Sequence, residues 1–175
     1  FDRLSGQHLP PATRTQVLEL LEGHPLALTW AAGLLSRADE DPAYLVKTWS
    51  DQRLPSLTDP DVRRREHTLA WLFERSVRKL DPHTVTVLDA AGLLANAPLP
   101  LSAAEIALSV QTTEGANGLS DTPRSSLKQL VHAGLLRLLP GAELWQFTHA
   151  LAYRFARPEH SYDEALLSRL ASWAH

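Results

Sequence analysis

The chain has no cysteine and no methionine among its 175 residues. Without cysteine there are no disulfides and no thiolate metal ligands, a composition that fits a reducing, cytoplasmic setting. The lack of methionine, initiator included, leads us to expect a piece of something longer. No apolar run reaches the ~20 residues a membrane helix needs, so no membrane partner is expected. The N-terminal "FDRLSGQHLPP" lacks the basic and apolar regions of a signal peptide. Neither G-x-x-x-x-G-K-[ST] nor G-x-G-x-x-G occurs, so no phosphate cradle is expected within the chain. The eight histidines form no H-x-x-x-H or H-E-x-x-H pair, and no serine sits in G-x-S-x-G. No metal site and no catalytic residue is therefore expected here. Charge of one sign is also scarce. The formal net charge is −3, which gives no electrostatic reason to expect nucleic acid or an acidic membrane.

What is present is a series of short amphipathic or apolar segments punctuated by proline and glycine. Hydrophobic residues make up 44% and charged residues 21%, enough to bury a core in one domain or two small ones. "LPPATRTQVLELLEG" reads as a helix opened by Pro10 and Pro11 and closed by Gly23 at C′, with Val17, Leu18, Leu20 and Leu21 as its apolar stripe. "PLALTWAAGLLSRA" is apolar nearly all round and so reads as a buried helix. "DEDPAYLVKTWSDQ" is a third, with Asp41 as N-cap and Pro42 at N1. "VRRREHTLAWLFERSVRKL" is a long fourth helix, ended by Asp81–Pro82, which caps the next.

From Asp81 the pattern changes. "HTVTVLDAAGLLA" is helical, "NAPLPL" a turn, and "AAEIALSV" a short helix with Ser102 as cap and Glu105 at the capping-box position. "QTTEGANGLSD" is a loop and "TPRSSLKQLVHAG" a further helix. "LLRLL" and "ELWQFTH" read as strands joined by a tight "PGA" turn. "ALAYRFAR" and "YDEALLSRLASWA" are helical, with a break at Pro158. The fold class expected is mainly α: a small helical bundle over 1–80, then a winged helix-turn-helix with a β-hairpin wing over 81–157. Residues 158–175 would begin a following helical region or linker. The five tryptophans stand at apolar-face positions, where core packing accounts for at least four.

A winged helix raises the question of DNA. The recognition helix would run from Thr122 to Ala133 and carries Arg124, Lys128 and His132, types that contact phosphates and bases. The charge argues otherwise. From Asp81 to His160 seven acids outnumber five bases, and the "PGA" turn has no basic residue to lay in a groove. A winged helix used for protein packing or as a lid is favoured.

Two segments carry a resemblance. "LLEGHPLALTWAAGLL" resembles the GxPLAL motif of STAND-class NTPases, the signalling ATPases that include the NB-ARC group. "LKQLVHAGLLRLLPGAELWQFTHALAYRFA" is similar to the end of their winged helix, where an aromatic strand ends in a histidine before a helix. In that family a P-loop domain precedes a small helical domain, a winged-helix domain and then, usually, repeats. The chain matches the second and third over nearly its whole length, so a P-loop domain is expected upstream of Phe1.

The resemblance implies roles for three residues. Gly23 and Pro25 match GxP, whose proline lies against the adenine. His149 matches the histidine of the family's MHD motif, which reaches the β-phosphate of ADP and locks the resting form. Thr148 and Ala150 replace the motif's Met and Asp, which puts the Asp-dependent part of the switch in doubt. Arg154 and Arg157 either assist with phosphate or solvate their helix, and the second is favoured. The function implied is a regulatory lid that closes over ADP and moves on exchange for ATP, permitting oligomerisation or effector signalling. The cofactor is ADP or ATP in the full-length protein, with Mg held by the P-loop domain. The partners are that domain, a downstream repeat or effector domain, and further copies on activation. By itself the chain would not be an enzyme, although its parent would be an ATPase. Two alternatives stand beside this: a winged-helix transcription regulator using Arg124 and Lys128 on DNA, and an interaction scaffold without nucleotide control.

Overall fold

Four of the helices start on a proline, at the one position where a missing N–H leaves nothing unsatisfied. A computed structural model describes residues 9–36, 41–52, 54–94, 96–109, 122–157 and 164–173. The loop expected at 111–121 and the break at Pro158 lie outside them. Among the described residues the chain is mainly helical, with one small antiparallel three-stranded sheet. It divides into two units, Phe1–Lys79 and Leu80–His175.

The first unit holds α1 (Pro11–Leu20), α2 (Pro25–Leu35), α3 (Pro42–Gln52) and α4 (Val62–Arg78). The caps follow local sequence. Asp41 accepts from the Ala43 N–H at 2.9 Å, and Asp61 from Arg63 at 2.9 Å. Helix α2 is buried on nearly every side: Ala27, Trp30, Ala31 and Leu35 are fully enclosed. Trp30 meets Phe73 of α4 edge-on, with centroids 5.7 Å apart. Trp49 of α3 and Trp71 of α4 form a second edge-on pair at 5.5 Å. On α1 the buried pair is Val17 and Leu21, one helical turn apart. Leu18, rotated about 100° from Val17, is 37% exposed, so the buried stripe is narrower than the four residues expected.

The second unit holds α5 (Pro82–Leu93), β1 (Leu99–Pro100), α6 (Leu101–Leu108), α7 (Thr122–His132), β2 (Leu136–Leu138), β3 (Leu144–Phe147), α8 (Ala150–Ala156) and α9 (Glu164–Trp173). The sheet order is β1-β3-β2, all antiparallel. Gly141, at φ +76°, supplies the left-handed turn of the hairpin. Two expectations need correction. "NAPLPL" is not only a turn: Leu99 pairs with Trp145 and Pro100 with Leu144. Proline is tolerated there because β1 is an edge strand. Ser102 is not the cap of α6. The helix begins at Leu101, two residues before the expected start, with Pro100 at the N-cap and no side chain capping it. Leu166 and Leu170 of α9 are buried with Ala90 of α5 and Ala107 of α6.

Helix α5 runs through the centre of this unit and carries two carboxylates in opposite situations. Asp81 caps it. Burial raises its pKa, but bonds from the Thr84 N–H (2.9 Å) and hydroxyl (2.8 Å), from Gln129, and the nearby His83 outweigh that and leave it lowered. Asp89 is half-buried, and burial alone pushes its pKa up. A raised carboxyl pKa favours the protonated fold. This contribution is fully present below the unfolded pKa and is lost as the pH rises through the folded one. Asp89→Asn is therefore expected to stabilise the chain at pH 7 by about 0.5–1 kcal/mol after allowance for screening. The gain should shrink as the pH falls into the ordinary aspartate range. Urea unfolding at pH 7 and at pH 4 measures both.

Candidate functional site

The joint between α1 and α2 is built from two consecutive left-handed residues, Glu22 at φ 48° and Gly23 at φ 67°. Leu21 is the C-cap of α1, so C′ is Glu22 and Gly23 is one place further on, a correction to the expected C′ glycine. A Cβ on Gly23 would meet nothing within 4 Å, so glycine serves the backbone angle and not a close approach. Glutamate is unusual in this region. Its carboxylate holds it there: one oxygen accepts from the Ser56 hydroxyl and the Thr58 N–H, each at 2.7 Å. His24 then closes the turn, its N–H bonding Leu21 O at 2.8 Å. It also caps α2, with Nδ1 accepting from the Ala27 N–H at 3.4 Å. Pro25 follows as N1 and is exposed.

Glu22 ties the joint to the 56–58 turn, and nothing in the local sequence marks it for that role. Burial raises its pKa, but the bonds from Ser56, Thr58 and Leu57 prevail and leave it lowered. A lowered carboxyl pKa stabilises the fold above the unfolded value, and that contribution is lost as the pH falls through the folded one. Glu22→Gln is expected to cost about 1 kcal/mol at pH 7, the size of a charge-assisted bond discounted for exposure. The difference from wild type should close below the glutamate range, as thermal melts at pH 7 and pH 3.5 would show.

In the second unit, β3 ends at Phe147 and α8 starts at Ala150. Thr148 anchors the junction, its hydroxyl donating to Gly134 O at 2.8 Å and its N–H to Leu135 O at 3.1 Å. The residue in the motif's methionine place thus fastens the strand end to the turn after α7. His149 is the N-cap of α8, and its Nδ1 accepts from the Leu151 N–H at 3.1 Å. An accepting Nδ1 fixes the tautomer: the proton lies on Nε2 of an exposed ring. Ala150, in the motif's aspartate place, is exposed and offers no carboxylate. Arg154 and Arg157 are exposed, with the Arg154 guanidinium 5.5 Å over the Phe155 ring.

Gly23 and Pro25 are thus neighbours in the first unit, and His149 belongs to the second. The residues named for DNA share one face of α7. Arg124 is held by Glu143, next to β3, in a two-pronged ion pair of 2.5 and 3.0 Å. Lys128 is exposed, with no carboxylate partner among the described residues. The pairing of Arg124 with Glu143, across 19 positions, has no sequence signal. Among the described residues no three metal-ligating side chains gather, and no helix is long and apolar enough to cross a membrane. Comparison with protein-family models, with curated proteins and with solved structures finds no match.

Proposed function

We propose that the chain is the helical and winged-helix lid of a STAND-type signalling NTPase, covering ADP in the resting state, with the winged-helix unit swinging away as a rigid body on exchange for ATP. The order α5–β1–α6–α7–β2–β3, with a small antiparallel sheet of order β1-β3-β2, supports reading the second unit as a winged helix. The observation that carries the reading is His149. Its Nδ1 is committed to capping α8, so the exposed ring presents an N–H donor, the polarity a phosphate oxygen requires. At the other position Pro25 presents an exposed apolar ring with no N–H to satisfy, suited to lie against a purine. The nearby Glu22 carboxylate is taken up by Ser56 and Thr58. Each motif thus presents chemistry suited to one part of a nucleotide: an apolar ring for the base at Pro25 and a donor for a phosphate oxygen at His149. When bound, the nucleotide supplies the phosphate charge that distinguishes the resting from the active form. Pro25 would orient the base and His149 would hold a phosphate oxygen. The DNA alternative is weakened by the Arg124–Glu143 pair, which neutralises one of its two named cations.

The chain has no cysteine of its own, so once any cysteine elsewhere in the full-length protein is replaced, labels placed in the chain report on its two units. Spin labels at Tyr44→Cys and Leu167→Cys, both exposed, report the distance between the units in the full-length protein. ADP is expected to give one distance distribution, and a non-hydrolysable ATP analogue a clearly displaced one, as for rigid-body domain rotation. Identical distributions with both nucleotides would remove the lid mechanism.

A further inference from the structure

A groove of about 230 Å³ lies between α7 and the β2–β3 hairpin. Its apolar lining is Val131 of α7 with Leu138, Ala142 and Trp145 of the hairpin. Leu138 is a large apolar side chain left 54% exposed, although β2 is otherwise anchored by the buried Leu136. The α7 wall places Arg124, Lys128, Val131 and His132 along one helical stripe, about 12 Å from first to last. At one end the Arg124–Glu143 ion pair crosses from helix to hairpin. At the other, His132 is bonded through Nδ1 to the Lys128 carbonyl at 3.0 Å. Between them the Lys128 ammonium has no carboxylate partner among the described residues. The result is a short apolar trough with, at its rim, a cation that no described carboxylate compensates.

We propose that this groove binds a small amphipathic organic anion: an apolar body of about ten to twelve heavy atoms ending in a carboxylate. The body lies on Leu138 and Trp145, covering the exposed leucine, and the carboxylate meets Lys128. Three features favour this occupant. The apolar floor and the single cation are complementary to a carboxylate-ended aliphatic chain and not to a run of phosphates. The trough is too short for the three or more turns of a docking helix. The bidentate pair holds Arg124 across one end, so charge recognition falls to Lys128 alone. The site lies wholly within the second unit and does not depend on the nucleotide reading.

Decanoate and its uncharged counterpart 1-decanol are the probes, titrated into the full-length protein and followed by calorimetry and by amide shifts. Decanoate is expected to bind saturably with a Kd below about 1 mM, the affinity allowed to a ligand of this size. Shifts should be centred on Val131, Leu138 and Ala142. Lys128→Gln should weaken decanoate about five- to tenfold, and decanol should bind the wild type correspondingly worse. Leu138→Asp, at an exposed position, should abolish binding. Ala142→Trp, which fills the trough from an exposed position, should do the same if the aspartate disturbs the hairpin. Absence of saturable decanoate binding overturns the proposal, as does binding that survives both blocking variants. Equal affinity for decanol and decanoate overturns the anion assignment. Binding of duplex DNA at physiological salt that depends on Lys128, with none of decanoate, hands the groove to nucleic acid.

Discussion

Gly92→Ala is expected to destabilise the second unit by about 3 kcal/mol, at the upper end of core overpacking. In a unit of this size that is a fall in melting temperature of roughly 10–20 °C. An alanine Cβ at this position would run into the Ala156 carbonyl oxygen and stand 2.8 Å from its carbon and 3.2 Å from the Arg157 nitrogen. All three are backbone atoms, so no rotamer change relieves the clash. Helices α5 and α8 must separate. The sign is informative, because in an unpacked helix the same change would stabilise by about 1 kcal/mol. Gly141→Ala is the comparison. Its Cβ would enter open space, and only the left-handed φ of +76° opposes it, at about 1–2 kcal/mol. Calorimetric melts of both variants separate close approach from backbone strain. A Gly92→Ala protein that melts at or above the wild-type temperature would contradict the described packing. The contact also matters to the proposed site. It sets α8 against α5, and α8 is the helix that His149 caps.

Trp30→Ala is expected to cost about 3–5 kcal/mol in the first unit, a large part of the stability such a domain has. The side chain is completely enclosed, and its edge-on contact with Phe73 joins α2 to α4. Trp30→Phe keeps an aromatic partner for Phe73 and should cost less than half as much. Denaturant unfolding followed by circular dichroism gives both values. A loss under 1 kcal/mol for the alanine variant would mean that α2 is not the buried centre of this unit.

The buried nature of α2 was legible because its apolar residues leave no polar face. The caps at Asp41 and Asp81 were legible because each carries its partner within a few positions, whereas the Asp61 cap lay within a stretch read only as a loop. The "PGA" turn announced the hairpin because a left-handed glycine is a local requirement. What escaped notice was non-local. Strand β1 exists through pairing with Leu144 and Trp145, more than forty positions away, and its proline and turn-like flanks disguise it. The return of α9 onto α5 and α6 depends on Ala90 and Ala107 being small enough to admit Leu166 and Leu170. At the candidate site, Gly23, Pro25 and His149 could be named from motif resemblance. The histidines at both motifs also have a structural task, because each caps the helix that follows. Glu22 and Glu143 went unnoticed for one reason: their partners are brought by tertiary packing, and a carboxylate reads as surface until its partner is placed.

The central claim rests on His149 as a phosphate contact beyond its role as a cap. Release of labelled ADP from the full-length protein, compared among wild type, His149→Ala and His149→Asn, tests it most directly. Asparagine retains an oxygen to accept the Leu151 N–H, so it preserves the cap that alanine loses at about 1 kcal/mol. Its side chain is shorter, however, and does not place a donor where Nε2 lies. The account predicts that ADP leaves both variants at least about tenfold faster than wild type, the worth of one charge-assisted bond, while the asparagine variant melts as wild type does. Release at the wild-type rate from the asparagine variant would reduce His149 to a helix cap and contradict the nucleotide-lid reading.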